Sequence, residues 1–215
     1  MAKHLRSKYS GEVAADYDKK RSSSKRWANE TAVFQDFLSQ VNPATVLDCP
    51  FGTGRWISHY DLSKASVIGI DVSTDMLQQA YAKIQRPESY RLIAGSIFDF
   101  DFNRITVDLI VCTRFLNWVR HERAREALSC LSRAEASSMI VGCSVIPREK
   151  SNSGKTFMRA ALQWRNLRKK KSSATYVHDE EELVADIAGL GWKIVSRKFI
   201  FSNKTRHNYF YLLSR

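Results

Sequence analysis

Acidic residues and glycines between positions 48 and 71 have the types and the spacing of a nucleotide-binding site. Asp48 ends an apolar run, and Gly52 and Gly54 follow it within six residues. Glycine permits positive backbone dihedral angles and lets a ligand approach the main chain closely. Asp71 ends the next apolar run, 17 residues after Gly54. A carboxylate about 20 residues beyond such a loop typically accepts hydrogen bonds from ribose hydroxyls.

The loop lacks the third glycine of a dehydrogenase fingerprint. Arg55-Trp56-Ile57 follow Gly54, so bulky side chains occupy the place where that fingerprint seats a pyrophosphate on a helix N-terminus. The pattern therefore favours a nucleotide-binding loop without a closely bound pyrophosphate.

Apolar strand patterns alternate with helical patterns along most of the chain. This alternation predicts an α/β fold with a doubly wound, mostly parallel sheet and helices on both faces. After Pro147 the rhythm breaks into a polar insertion, and it resumes with an acidic helix start at residue 179. The predicted strands are Thr45–Cys49, Ser66–Asp71, Tyr90–Ala94, Val107–Cys112, Ser138–Val145, Trp192–Phe201 and His207–Leu213, and the clearest helices are Trp27–Leu38 and Glu122–Arg133.

The net charge of +12 is concentrated in two segments. Residues 1–26 hold eight Lys/Arg and three acidic residues, and residues 148–171 hold nine Lys/Arg and one acidic residue. The rest of the chain is close to neutral. Such concentration favours an anionic partner, although solvated surface is the simpler explanation of any basic segment.

Bulk properties indicate one globular domain. The chain of 215 residues is 44% hydrophobic, and its N-terminus has no signal-peptide pattern. No segment approaches the roughly 20 apolar residues of a membrane span, so a cytoplasmic location is expected. The four cysteines have no Cys-x-x-Cys spacing, which predicts buried thiols and no metal site.

The motifs together resemble those of the class I S-adenosylmethionine-dependent methyltransferases. Residues 47–54 are similar to the first motif of that family, 68–73 with 76–80 to the second, 94–97 to the third and 107–113 to the fourth. The resemblance spans about residues 41–145. It implies a seven-stranded sheet of order 3-2-1-4-5-7-6 with the last strand antiparallel. It also implies four parts: an N-terminal helical arm (1–40), a cofactor-binding core (41–145), a basic lid insertion (146–178) and a final helix and strand pair (179–215).

The resemblance also implies a cofactor site for S-adenosylmethionine. Asp48 and the backbone at Gly52 and Gly54 would lie beside the methionine moiety, and Asp71 would bind the ribose. Two positions depart from the family pattern: Pro50 replaces a glycine, and Ser96 stands where many relatives carry an acid near the adenine. The remaining cofactor residues implied are Val72, Ile97 and Thr113, with Tyr17 and Arg21 of the N-terminal arm covering the cofactor.

Candidate acceptor residues come from two places. Arg114, Asn117 and Trp118 follow strand four, where the family contacts cofactor and substrate, and Trp164 and Arg165 belong to the basic insertion. The histidines His121 and His178 follow strand four and the insertion, so either could reach the carboxyl edge of the sheet as a general base. For each of these side chains a structural or solvated role is the competing interpretation.

The sequence thus predicts a methyltransferase that uses S-adenosylmethionine and aligns an acceptor for in-line displacement. The expected acceptor is a small or medium molecule with anionic groups, such as a phosphorylated or carboxylated metabolite or a glycoconjugate. Two alternatives stay open: an RNA methyltransferase, favoured by the basic charge, and a cofactor-binding protein of the same fold without enzymatic activity.

Overall fold

The structure is a computed structural model that describes residues 24–146, 175–203 and 206–215. Four residues predicted to bind cofactor or acceptor, Tyr17, Arg21, Trp164 and Arg165, lie outside these ranges. Most of the N-terminal arm and of the basic insertion also lies outside them.

Helices and strands alternate in the described ranges as the sequence predicts. The helices are α1 (Lys25–Val41), α2 (Ile57–Ser63), α3 (Thr74–Tyr81), α4 (His121–Leu131) and α5 (Glu180–Gly189). The strands are β1 (Thr45–Asp48), β2 (Ser66–Asp71), β3 (Tyr90–Ala94), β4 (Thr106–Cys112), β5 (Glu135–Ile146), β6 (His178–Asp179), β7 (Lys193–Asn203) and β8 (Arg206–Ser214). Short 3-10 turns occur at Pro87–Ser89, Phe102–Arg104 and Leu116–Trp118.

The strands form one mixed sheet of order β3-β2-β1-β4-β5-β8-β7. Strands β1 to β5 pair in parallel, and β8 is antiparallel to both β5 and β7. The predicted doubly wound sheet with an antiparallel last strand is therefore confirmed. The difference from the prediction is β6, a two-residue strand that pairs with the end of β5 at Val145 and Ile146. Because of this added strand, the final pair is numbered β7 and β8.

Apolar side chains cover both faces of the sheet, because neighbouring residues of a strand point to opposite faces. On one face Val46 and Leu109 pack with α1, α2 and α3, and on the other Leu47 and Ile110 pack with α4 and α5. Each fully buried large apolar side chain contributes about 1.5–3 kcal/mol. The two layers hold the carboxyl ends of β1, β2 and β4 at one edge of the sheet.

Side-chain caps fix where the helices near this edge begin. The Ser24 side chain accepts from the Trp27 amide at the start of α1, and the Ser73 side chain accepts from the Met76 amide at the start of α3. Replacing such a cap by alanine typically costs about 1 kcal/mol. Within the described ranges, no helix combines the length and the apolar character that crossing a membrane requires.

Candidate functional site

The connection from β1 to α2 forms a glycine loop at the carboxyl edge of the sheet. Gly52 has φ +59° and Gly54 has φ +71°, a region that side-chain-bearing residues rarely adopt. A Cβ on Gly52 would meet no atom within 4 Å, so that position is open to a ligand. A Cβ on Gly54 would lie 2.1 Å from Ile57 Cδ1. Gly54 is therefore required for packing, whereas Gly52 faces open space.

Asp71 joins the glycine loop to the start of α3. Its Oδ2 accepts from the Gly52 amide at 2.7 Å and its Oδ1 accepts from the Ser73 amide at 2.9 Å. Burial raises the pKa of Asp71, while backbone N–H groups of Ser73, Gly52 and Val72 act in the opposite direction. A carboxylate oxygen can accept more than one hydrogen bond, so Asp71 retains acceptor capacity for ribose hydroxyls.

Asp48 lies deeper, at the end of β1. It is 2% exposed, and its Oδ2 accepts from the Tyr60 hydroxyl at 2.9 Å. Burial raises the pKa of Asp48 well above its usual value. On the adjacent strand end, the Thr113 hydroxyl accepts from the Trp56 indole N–H at 3.0 Å. These contacts hold two polar side chains at the base of a cavity.

We call this cavity the glycine-loop cavity. It encloses about 800 Å³ of empty space, part of it open to solvent. It contains most of the residues predicted to contact the methionine and ribose parts of the cofactor, but not Gly54. Its lining is Asp48, Pro50, Phe51, Gly52, Thr53, Arg55, Trp56, Asp71, Val72, Met76, Thr113, Arg114, Phe115 and Trp118.

A second cavity, the Ser96 cavity, continues from the first and shares Pro50, Val72 and Phe115 with it. Ser96 and Ile97 line it, as the predicted adenine contacts require. The other lining residues are Cys49, Ile70, Gly95, Phe98, Asp99 and Arg123. The glycine-loop cavity offers carboxylates that can accept hydrogen bonds from hydroxyl groups, and the Ser96 cavity offers a mostly apolar space for a planar base. Their residues thus fit the cofactor predicted from the sequence.

A third cavity, the arginine cavity, adjoins the glycine-loop cavity on another side. Arg114 and Trp118 line both cavities. The arginine cavity encloses about 770 Å³, and it has three arginines against one acid. Its lining is Ser24, Arg26, Trp27, Glu30, Arg114, Asn117, Trp118, Thr175 and Arg206. All three residues predicted after β4 to form an acceptor wall thus line this cavity.

Glu30 is the acid of the arginine cavity and is only 1% exposed. Its Oε1 accepts from Arg26 Nε at 2.8 Å. Its Oε2 lies 3.8 Å from Arg114 Nε, and no hydrogen-bond donor reaches that oxygen among the residues the structure describes. Arg114 itself has φ +61°, a conformation that costs a side-chain-bearing residue about 1–3 kcal/mol.

Arg55 connects the glycine loop to α1. Its guanidinium lies 3.4 Å from the centroid of the Trp27 ring and 4.2 Å from that of Trp56. It also donates to the Trp27 carbonyl at 3.1 Å and to the Thr31 hydroxyl at 2.5 Å. A stacked and hydrogen-bonded guanidinium of this kind holds two segments in a fixed arrangement.

The two predicted histidines lie together and are not among the residues that line the three cavities. His178 is 1% exposed with its Nε2 2.9 Å from the Leu116 carbonyl oxygen, and burial lowers its pKa. His121 Nε2 lies 2.9 Å from Asp186 Oδ2, and the two rings are 5.7 Å apart. Neither histidine lines any of the three cavities. A general base at either residue gains no support from this geometry and stays a prediction.

Several lining residues escaped the sequence reasoning. In the glycine-loop cavity these are Phe51, Thr53, Arg55, Trp56, Met76 and Phe115, and in the arginine cavity Ser24, Arg26, Trp27, Glu30, Thr175 and Arg206. A signal for Glu30 did exist. Glu30, Phe34, Phe37 and Leu38 follow the spacing of one helix face, and all four are buried. An acid within an apolar stripe of that kind indicates a buried charge with a specific partner.

Comparison with known proteins gives a sequence match over the core. Residues 46–136 match the model of a family described as a methyltransferase domain. No curated protein matches the chain in sequence.

Solved structures match nearly the whole chain in fold. Magnesium protoporphyrin IX methyltransferase from Synechocystis PCC 6803 with bound SAH has a TM-score of 0.66 at 16% identity, covering 99% of this chain and 93% of that one. The 1,6-didemethyltoxoflavin-N1-methyltransferase of Burkholderia thailandensis has a TM-score of 0.67 at 14% identity, covering 100% and 88%. A DhpI complex with SAM and HEP has a TM-score of 0.73 at 16% identity, covering 99% and 97%.

Proposed function

We propose that this chain is a class I S-adenosylmethionine-dependent methyltransferase whose acceptor is a small or medium-sized molecule with anionic groups. The observation that carries the proposal is the arginine cavity, which meets the glycine-loop cavity at Arg114 and Trp118. Arginine binds carboxylate and phosphate groups through charge-assisted hydrogen bonds. Three arginines against one acid favour an anionic molecule at this place.

S-adenosylmethionine, when bound, supplies an activated methyl group on a sulfonium that leaves as a neutral thioether. The protein has to hold the cofactor, align the acceptor and exclude water. In this proposal Asp71 binds the ribose hydroxyls, while Val72, Ser96 and Ile97 contact the base. Arg114 and Trp118 lie between the glycine-loop cavity and the arginine cavity. The acceptor would approach the methyl group past these two residues, in line with the carbon–sulfur bond.

The size of the arginine cavity supports a small acceptor. Without the space that is open to solvent, its volume is about 260 Å³, just below the range of roughly 300–1,000 Å³ typical of small-molecule sites. Two of the solved neighbours are named for small-molecule substrates, a magnesium porphyrin and a toxoflavin precursor. Their substrates differ from each other, so they support the size of the acceptor and leave its chemical identity open.

The proposal is tested by calorimetry followed by methyl transfer. S-adenosylhomocysteine should bind the purified chain, and labelled S-adenosylmethionine should then label members of a panel of carboxylated and phosphorylated metabolites. Labelling only of neutral compounds would contradict the anionic acceptor. The absence of any heat of cofactor binding would instead favour the alternative of a fold without enzymatic activity.

A gel-shift assay distinguishes an RNA substrate from a small-molecule acceptor. Phosphate contacts make nucleic-acid binding strongly salt-dependent, so a polymer substrate requires a shift at low ionic strength that weakens as salt is added. We expect bulk RNA to give no labelled product even where its charge causes a weak shift. If RNA became labelled in the methyl-transfer assay, the proposal of a small acceptor would be wrong and a polymer would be the substrate.

A further inference from the structure

The Oε2 atom of Glu30 can accept hydrogen bonds, but none of the described residues donates one to it. The side chain is 1% exposed, yet its Oε2 has no hydrogen-bond donor within that part of the chain. Leaving a buried polar group unsatisfied costs about 1–3 kcal/mol, and more for a charged one. In a native structure such an atom calls for an explanation, and a ligand that supplies the missing donor is one.

The surroundings hold this carboxylate in one orientation. Arg26 lies one helical turn before Glu30 and donates to Oε1, which fixes the carboxylate from one side. Arg114 Nε lies 3.8 Å from Oε2, too far for a hydrogen bond but close enough for attraction between the charges. The two arginines offset the cost of burying the acid while leaving room for one more donor at Oε2.

Glu30 also lies where an acceptor has to bind. It lines the arginine cavity together with Arg114 and Trp118, and these two residues reach the glycine-loop cavity as well. A molecule in the arginine cavity can therefore contact Glu30 and face the cofactor site at the same time. Among the described residues, Glu30 is the only acid that lines the arginine cavity.

We propose that Glu30 Oε2 accepts a hydrogen bond from the hydroxyl or amino group that receives the methyl. This inference rests on the proposed function and narrows the acceptor to a hydroxy or amino compound with an additional anionic group. The acceptor oxygen or nitrogen uses a lone pair to bond to the methyl carbon as the carbon–sulfur bond breaks. The electrons of that bond remain on sulfur, and the O–H or N–H proton passes to Glu30 Oε2 and then to solvent.

The test uses matched probes with the full-length protein saturated with S-adenosylhomocysteine. One set is 4-hydroxybenzoate, 4-aminobenzoate and benzoate, and a second is glycerol 1-phosphate and propyl phosphate. In at least one set the hydroxyl or amino member should bind about 10-fold more tightly than its counterpart without that group. In Glu30→Gln this gap should close to less than about threefold, because an amide is a weaker acceptor than a carboxylate.

The rate of methyl transfer gives a second readout, with the probe that binds best. A general base contributes about 100-fold or more, so Glu30→Gln should lose about that factor near neutral pH. Part of the loss should be recovered at higher pH with a phenolic probe, because the phenol then ionises without a base. A purely structural role of Glu30 would leave the shape of the pH profile unchanged.

Glu180→Gln is the matched control. Glu180 is also almost fully buried and paired with an arginine, Arg197, but it lines none of the cavities described above. It should lower stability without changing probe preference.

Cofactor binding distinguishes a failure of the proposed function from a failure of the role proposed for Glu30. If the wild-type protein does not bind S-adenosylhomocysteine, the proposed function is contradicted. Intact cofactor binding without a preference for hydroxyl or amino probes, or with the same preference in Glu30→Gln, overturns only the role of Glu30.

Discussion

The glycine-loop cavity and the arginine cavity lie side by side, but the chain forms them in different ways. The first is lined by residues 48–56, 71–76 and 113–118, which lie at the ends of the parallel strands β1, β2 and β4 and in the segments that follow them. The second draws on α1, the turn after β4, residue 175 and the start of β8, which are far apart in sequence. Under the proposed function, cofactor recognition would therefore depend on local backbone geometry, whereas acceptor recognition would depend on charged side chains that the tertiary fold brings together.

Gly54→Ala should give the largest effect, because the cofactor side depends on backbone geometry. The new Cβ would lie 2.1 Å from Ile57 Cδ1 at a residue with φ +71°. Overpacking and a left-handed conformation each cost about 1–3 kcal/mol, so stability should fall by about 3 kcal/mol. Urea unfolding checks this, and calorimetry should show S-adenosylhomocysteine affinity reduced as well. Gly189→Ala is the control, since a Cβ there meets nothing within 4 Å.

Asp71→Ala should produce the next largest effect, mainly on cofactor affinity. Hydrogen bonds to a charged acceptor contribute about 1.5–3 kcal/mol, so S-adenosylhomocysteine affinity should fall by an order of magnitude or more. Part of this loss would come from the Gly52 and Ser73 amides, which Asp71 now holds. Calorimetry against Asp36→Ala, a surface acid of α1 paired with Lys198, isolates the effect. Unchanged affinity would contradict the ribose assignment.

Arg114 lines both cavities, so a pair of substitutions separates its backbone from its charge. Arg114→Gly and Arg114→Ala should both reduce methyl transfer to an anionic acceptor by about 10-fold, with cofactor affinity changed less. The alanine variant should be less stable than the glycine variant by about 1 kcal/mol, because only glycine adopts φ +61° without strain. Thermal melting with single-turnover rates distinguishes the two roles. An equal loss of cofactor affinity would break the distinction between the cavities.

His178 should give the smallest effect, on the pH dependence of stability. Burial lowers the pKa of His178 below its ordinary value of 6.5. As the pH falls through 6.5, the histidine therefore becomes protonated more readily in the unfolded chain than in the folded one. The neutral form therefore stabilises the fold fully above about pH 6.5, and this stability is lost as pH falls. In His178→Gln the decrease between pH 7 and pH 5 should be shallower than in wild type. The midpoints of urea unfolding at several pH values measure this decrease in stability. Burial also lowers the pKa of His59, but that contribution is the same in both proteins.

The shape of the glycine-loop cavity could be predicted from the sequence because its determinants lie close together in the chain, while the binding role of its residues stays a prediction. A strand, two glycines and an acid at the next strand end encode a backbone shape, and the structure has Gly52 and Asp71 in direct contact. The sheet order followed from the resemblance to a known family. Only the two-residue β6 was absent from the prediction, since such a short pairing has no pattern of its own.

The acceptor side could be predicted only in part. Arg114, Asn117 and Trp118 were predicted because they follow β4, and they line the arginine cavity, but their contact with an acceptor stays a prediction. Glu30 and Arg206 were not, because a charged residue on a helix or a strand end is usually solvated. Their convergence depends on α1 packing against the sheet and on β8 pairing with β5, which no local pattern specifies.

The contact between Arg55 and α1 bears on whether binding in one cavity affects binding in the other. Arg55 belongs to the glycine loop, and α1 carries Glu30, so one side chain links the segment around the cofactor to the segment facing the acceptor. If filling one cavity shifts this contact, thermodynamic linkage requires each ligand to change the affinity of the other by the same factor. The size of that coupling would then depend on Arg55 more than on either cavity.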